Sequence, residues 1–129
     1  MIIGLIPSRL NSIRLKEKPL LEIDGLPIII HTYKRAKLCK KLDDVIVCAD
    51  DLKIVNVVKK HGGKAILTSK KHKNGTERIA EVAKKIKSAK LVIDIQGDEP
   101  LVDPQDIDKV IDFHQKNKHF LSCQENLYN

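Results

Sequence analysis

An α/β fold, with a mostly parallel sheet and flanking helices, is predicted from three observations. Short continuous apolar runs rich in β-branched residues alternate with amphipathic helical stripes along the 129-residue chain. The runs are apolar without alternation, the pattern of strands buried on both faces between helical layers. Polar, charged segments follow several of these runs, where open α/β sheets bind ligands at the carboxyl ends of their strands.

The elements follow in order. Ile2-Ile3-Gly4-Leu5-Ile6 is a strand that Pro7 should end. Ile29, Tyr33 and Ala36 mark one face of a helix opened by Pro27. Val45-Ile46-Val47-Cys48 is the second strand. Ile54, Val55 and Val58 then form a helix capped by Asp51 and ended by Gly62. Ala65-Ile66-Leu67 is the third strand. Ile79, Val82, Ala83 and Ile86 give a helical stripe behind Asn74, whose partner Glu77 three residues on completes a capping box. Leu91-Val92-Ile93-Asp94-Ile95 is the fourth strand. Ile107, Val110, Ile111 and His114 form a last helix after the Asp103-Pro104 cap, and Phe120-Leu121-Ser122-Cys123 is a possible fifth strand. Strands alternating with helices indicate parallel pairing through helical crossovers. The length fits one domain over residues 1–129.

Composition narrows the function. The chain carries 24 Lys and Arg against 17 Asp and Glu, a net +7, which favours anionic ligands. Many of the lysines are scattered along helices, as Lys59-Lys60 and Lys84-Lys85, and read as solvated surface. Aromatic residues are only 3%, too few for the stacking platforms of single-stranded nucleic-acid binding, so no nucleic-acid partner is expected. Cys39, Cys48 and Cys123 are widely spaced and suggest reduced core thiols in a cytoplasmic protein, without a zinc site or disulfide framework. No apolar stretch is long enough to span a bilayer, so no membrane partner is expected.

Three segments carry candidate chemistry. After the first strand comes Pro7-Ser8-Arg9-Leu10-Asn11-Ser12-Ile13-Arg14-Leu15-Lys16-Glu17-Lys18-Pro19, a basic loop whose Arg9, Arg14, Lys16 and Lys18 suit a triphosphate. It has neither the P-loop spacing nor a dinucleotide fingerprint, and alone it reads better as a solvated loop. Asn74-Gly75-Thr76-Glu77-Arg78 opens a helix, whose free N–H groups suit ligand oxygens as well as an ordinary cap. Arg78 in the first turn opposes the helix dipole, a misfit that points toward a ligand contact. Gln96-Gly97-Asp98-Glu99-Pro100 ends the fourth strand with two acids suited to Mg²⁺ beside phosphates, or to a simple turn. Of the histidines, only His72 adjoins one of these segments.

Together these segments resemble the 3-deoxy-manno-octulosonate cytidylyltransferase (CMP-Kdo synthetase) family. Ile6-Pro7-Ser8-Arg9, Ser12-Ile13-Arg14-Leu15 and Lys18-Pro19-Leu20 are similar to its N-terminal signature. Asn74 to Val82 and Gln96 to Leu101 are similar to its two other hallmark segments, in the family order and at compatible spacing. The resemblance implies a Rossmann-like nucleotidyltransferase (nucleotide-diphospho-sugar transferase) fold. It also implies a Mg²⁺-dependent transfer of CMP from CTP to Kdo with release of pyrophosphate, for lipopolysaccharide synthesis. By the same resemblance, Arg14 and Lys18 neutralise the triphosphate and leaving group, and Ser8 and Arg9 lie beside the nucleotide. Gly75 and Thr76 hold the cytidine end, Arg78 and Gln96 lie toward the sugar, and Asp98 ligates Mg²⁺. The implied partners are CTP and an acidic sugar, with full-length relatives expected to be homodimers.

The sequence departs from the family pattern at several places. Lys16-Glu17 stands where a Pro-Gly pair is usual, Ile13 where Thr is common, and Asp94 where a neutral amide is usual. Family members run to roughly twice this length, the scale of one large α/β domain. The domain is therefore expected to lack its C-terminal part, with a second Mg²⁺-binding Asp, much of the sugar pocket and the dimer interface. Alternatives are a cytidylyltransferase for another acidic sugar (8-amino-Kdo or a sialic acid) and a non-catalytic nucleotide-binding remnant.

Overall fold

The computed structural model describes residues 1–11, 16–97 and 101–116. Its main sheet has four parallel strands, β1 (Ile2–Ser8), β4 (Asp44–Ala49), β5 (Ala65–Leu67) and β6 (Leu91–Asp94), in the order β5-β4-β1-β6. From β1 the chain moves outward through β4 to β5, then returns to the other side of β1 as β6. The strand order thus reverses between β1 and β6, and crevices at such reversals are where open α/β sheets bind ligands.

Helices cover both faces. α1 (Ile28–Lys37), α2 (Leu52–Lys60) and α4 (Pro104–Lys116) bury Ile29, Ile30, Tyr33, Ile54, Val58, Ile107 and Ile111 against Ile6, Val45, Val47 and Ile93. α3 (Gly75–Ala83) covers the opposite face, where Ile79 and Val82 meet Ile3, Leu5, Ile46 and Cys48. That change of face is what right-handed crossovers require when the strand direction across the sheet reverses.

The expected caps form. Asp51 accepts the Lys53 N–H at 2.8 Å, and Gly62 ends α2 at φ 81°. Asn74 accepts the Glu77 N–H at 2.9 Å, while Glu77 reaches one residue past the cap to the Lys73 N–H at 3.1 Å. Asp103 accepts the Gln105 N–H at 2.9 Å at the start of α4.

Four expectations need correction. β1 runs through Pro7 to Ser8. Leu5 O accepts the Ile95 N–H and Ser8 O accepts the Asp50 N–H, so odd-numbered residues of β1 turn their backbone groups toward β6. The absent Pro7 N–H would have met Ile95 O, so Pro7 ends the β1–β6 ladder at Leu5 paired with Asp94, while pairing with β4 continues to Ser8. Pro27 occupies the cap of α1, not its first helical position. α3 ends at Ala83, and Ile86 packs on the core from beyond the helix. A hairpin absent from the predicted order, β2 (Glu22–Ile23) with β3 (Leu26–Pro27), turns at Asp24 and Gly25, both at positive φ (52° and 81°). The possible strand at 120–123, His119 and Cys123 lie outside the described residues. Cys39 and Cys48 are buried and free, and burial pushes the Cys48 thiol up to about 12.

Candidate active site at the carboxyl edge of the sheet

The three candidate segments meet at Pro7, the penultimate residue of β1. Gly75, the first residue of α3, approaches so closely that an added Cβ would lie 3.1 Å from Pro7 Cγ. Gly97, in the turn after β6, leaves even less room, since its Cβ would lie 2.6 Å from the Pro7 carbonyl oxygen. Glycine is therefore required at 97 by close backbone approach. The N-terminus of α3 and the turn of β6 are thus both pressed against the end of β1, where the basic loop begins.

Around this junction, Arg9 and Gln96 are exposed and Thr76 is half-buried. Ser8 is buried, and its Oγ has no hydrogen-bond partner among the described residues. Lys18 lies in a short 3-10 turn (Lys18–Leu20) next to α1. Arg14 and Asp98 fall outside the described residues, as does Glu99.

Arg78 differs from the expectation of a residue facing the sugar. It is only 3% exposed, its Nε donates to Thr68 Oγ1 at 3.0 Å, and one terminal nitrogen lies 3.9 Å from an Asp50 carboxylate oxygen. The misfit with the helix dipole is explained by this buried acid. Asp50 also accepts the Leu10 N–H at 2.9 Å, and Thr68 donates its own N–H to Ala49 O at 2.7 Å. Asp50, Arg78 and Thr68 together join the ends of β1, β4 and β5 to α3. Asp50 and Thr68 had no sequence signal of function. Their partners are far away in the chain, and an Asp at a strand end reads as a turn residue.

The loop between β5 and α3 has a second tie. His72 Nε2 lies 2.6 Å from Glu81 Oε1, which also accepts the Ser69 N–H at 3.0 Å. The Ser69 bond, followed by the His72 contact, holds the Glu81 carboxyl below the usual range. Asp94, on the α3 face of β6, has a buried oxygen with no partner among the described residues, and burial raises its pKa to about 6.

The basic loop is held differently. Glu17 adopts the left-handed region (φ 53°, ψ 34°), its N–H donates to Asn11 Oδ1 at 3.2 Å, and its carboxylate lies 3.5 Å from Lys53 Nζ. The glycine usual in the related signature is accounted for by this positive φ. The acid that replaces it is balanced by Lys53 at the start of α2. Asp51 is similarly paired with Lys70 of the β5–α3 loop at 3.5 Å.

Among the described residues, no three His, Cys, Asp or Glu side chains gather as a metal cage. Among the same residues, no helix is long and apolar enough to cross a membrane.

A parallel sheet with this strand order, whose carboxyl edge brings the start of α3 and Gly97 against Pro7, has the nucleotidyltransferase fold of its solved relatives. The chain belongs to the cytidylyltransferase family, whose profile matches residues 3–128. It is 48% identical to the 3-deoxy-manno-octulosonate cytidylyltransferase of Fusobacterium nucleatum over 90% of its length and 47% of that protein. It is 43% identical to an 8-amino-3,8-dideoxy-manno-octulosonate cytidylyltransferase of a Shewanella species, over 89% of its length and 48% of that protein. Among solved structures it superposes on CMP:2-keto-3-deoxy-manno-octonic acid synthetase complexed with CTP. The TM-score is 0.88 at 38% identity, covering 91% of this chain and 48% of that one. The chain thus spans about half the length of the curated relatives it matches.

Proposed function

We propose that the chain forms the CTP-binding half of a cytidylyltransferase that transfers CMP to 3-deoxy-manno-octulosonate (Kdo) and releases pyrophosphate. The observation that carries this reading is the meeting of Ser8-Arg9, Gly75-Thr76 and Gln96-Gly97 around Pro7. The names of its relatives support the choice of nucleotide and sugar.

In this reading Arg9, Arg14 and Lys18 take the triphosphate, and Arg14 and Lys18 neutralise the departing pyrophosphate. Ser8 lies beside the nucleotide, and Gly75 and Thr76 hold its cytidine end with the N–H groups that open α3. Gln96 faces the sugar, whose anomeric hydroxyl attacks the α-phosphorus. Arg78 acts from below, as the brace that fixes the β5–α3 loop against Asp50 and Thr68. Bound Mg²⁺, with Asp98 as a ligand, supplies neutralisation of phosphate charge. Catalysis on this reading is positioning and charge neutralisation, without a nucleophilic side chain. The reaction takes place in the cytoplasm as a step toward lipopolysaccharide, and the whole protein is a homodimer.

A pyrophosphate-release assay with CTP, Mg²⁺ and Kdo tests the reading. Release that disappears in Asp98→Ala supports it; none from the unmodified chain favours a nucleotide-binding remnant. The similarity to the Shewanella enzyme supports a second reading with 8-amino-3,8-dideoxy-manno-octulosonate as acceptor. Faster release with that sugar than with Kdo would select it.

A further inference from the structure

The loop that leads into α3 is fastened to that helix by two acids. Glu81 accepts the Ser69 N–H at 3.0 Å and meets His72 Nε2 at 2.6 Å through the same carboxylate oxygen. Glu77, one turn earlier, accepts the Lys73 N–H at 3.1 Å and lies 3.9 Å from His72 Nδ1. Ser69, His72 and Lys73 are thus all held by α3, immediately before the Asn74-Gly75-Thr76 segment that opens it. The Arg78 brace fixes the loop at Thr68, and the two acids govern residues 69–73.

The imidazole sits between two carboxylates. Like charges four residues apart on a helix repel, and a cation between them offsets that repulsion. A neutral ring offers one N–H, enough for Glu81 alone, whereas the charged ring has two and attracts both acids. Glu81 is held below the usual carboxylate range, first by the Ser69 bond and then by His72, so it stays ionised where an imidazole gains its proton. The His72 and Glu81 side chains are only 18% and 25% exposed, so salt screens them less than an open surface pair. The other charges near the ring are Lys85, 3.6 Å from Glu81, and the loop's own Lys70, Lys71 and Lys73, of which Lys70 is paired with Asp51 at 3.5 Å.

We propose that His72 and Glu81 are positioning residues for the nucleotide, and that the charge on His72 sets how firmly the loop presents the start of α3. This rests on the function proposed above, in which Gly75 and Thr76 hold the cytidine end. Apparent affinity falls with the fraction of molecules whose site is formed, so a loosened loop weakens CTP binding. The tie is complete at low pH, where the ring is charged, and is partly lost as pH rises.

The test is calorimetric titration of the chain with CTP and Mg²⁺ at about pH 5.5 and about pH 8, on either side of imidazole titration. The unmodified chain is compared with two variants. His72→Gln keeps a bond to Glu81 but carries no charge, and Glu81→Gln keeps an acceptor for the Ser69 N–H but removes the acid. Titration of CTP itself and of Asp94 is common to all three and cancels in the ratios. From the lower pH to the higher, the unmodified chain should lose about threefold more CTP affinity than either variant. If one variant does not fold, the other carries the test. The proposal is overturned if the folded variants keep the pH dependence of the unmodified chain, whether at full affinity or after an equal loss at both pH values. An unmodified chain that binds no CTP at either pH overturns the proposed function and this proposal with it, a failure distinct from binding that ignores His72.

Discussion

The two sides of the candidate site are built on opposite principles. On the α3 side, Asp50, Arg78 and Thr68 form a buried network that ties three strand ends to a helix. On the basic-loop side, Glu17 sits in a strained backbone conformation and pairs with Lys53 across solvent. Buried charges depend on their partners because water cannot replace them, whereas exposed pairs contribute little and are screened by salt. The α3 side is therefore set before any ligand arrives.

Perturbations of the two sides should differ accordingly. Asp50→Ala leaves Arg78 as an uncompensated buried charge and the Leu10 N–H without its acceptor. It should cost about 3–5 kcal/mol in urea unfolding, the largest effect expected here. Gly97→Ala forces a methyl group against Pro7 O and should cost about 2 kcal/mol, with loss of CTP binding.

Asp94→Asn should act in the other direction, with a pH signature. Its acid is raised from 3.8 to about 6, so the folded state holds a proton that the unfolded state releases between those values. Stability is lost as pH rises through that window. Replacement by the amide should add about 1 kcal/mol near pH 7.5, a figure reduced for the side chain's partial exposure, and almost nothing near pH 4. Equal gains at both pH values would contradict the burial account. The smallest effects belong to the basic loop. Glu17→Gly should stabilise by about 0.5 kcal/mol, as relief of the left-handed backbone exceeds the added chain entropy. Lys53→Ala should change stability by less than about 0.5 kcal/mol. A loss of several kcal/mol in either loop variant would erase the distinction between the two sides.

The strands, the helices and the three convergent segments were legible because they depend on local pattern. Apolar runs fixed β1, β4, β5 and β6, and Asp51, Asn74 and Asp103 marked helix starts by side-chain chemistry. The β2–β3 hairpin was missed although Asp24-Gly25 is a recognised turn signal, because the flanking runs are only two residues each. Pro7 stops the pairing with β6 only, because its missing N–H faces that side and the pairing with β4 does not need it. The burial of Arg78 was hidden because its acid, Asp50, lies on another strand. The bond from the Thr32 hydroxyl to the Gly97 carbonyl is likewise a tertiary fact, absent from the periodicity of α1.

The central claim is that the edge around Pro7 binds CTP. Thermal unfolding of the chain with Mg²⁺ and increasing CTP tests it directly. CTP at about a hundred times its dissociation constant should add about 2.7 kcal/mol. For a domain of this size, that raises the melting temperature by about 10 °C. No shift at millimolar CTP, with or without Mg²⁺, would contradict the assignment of this edge as the nucleotide site.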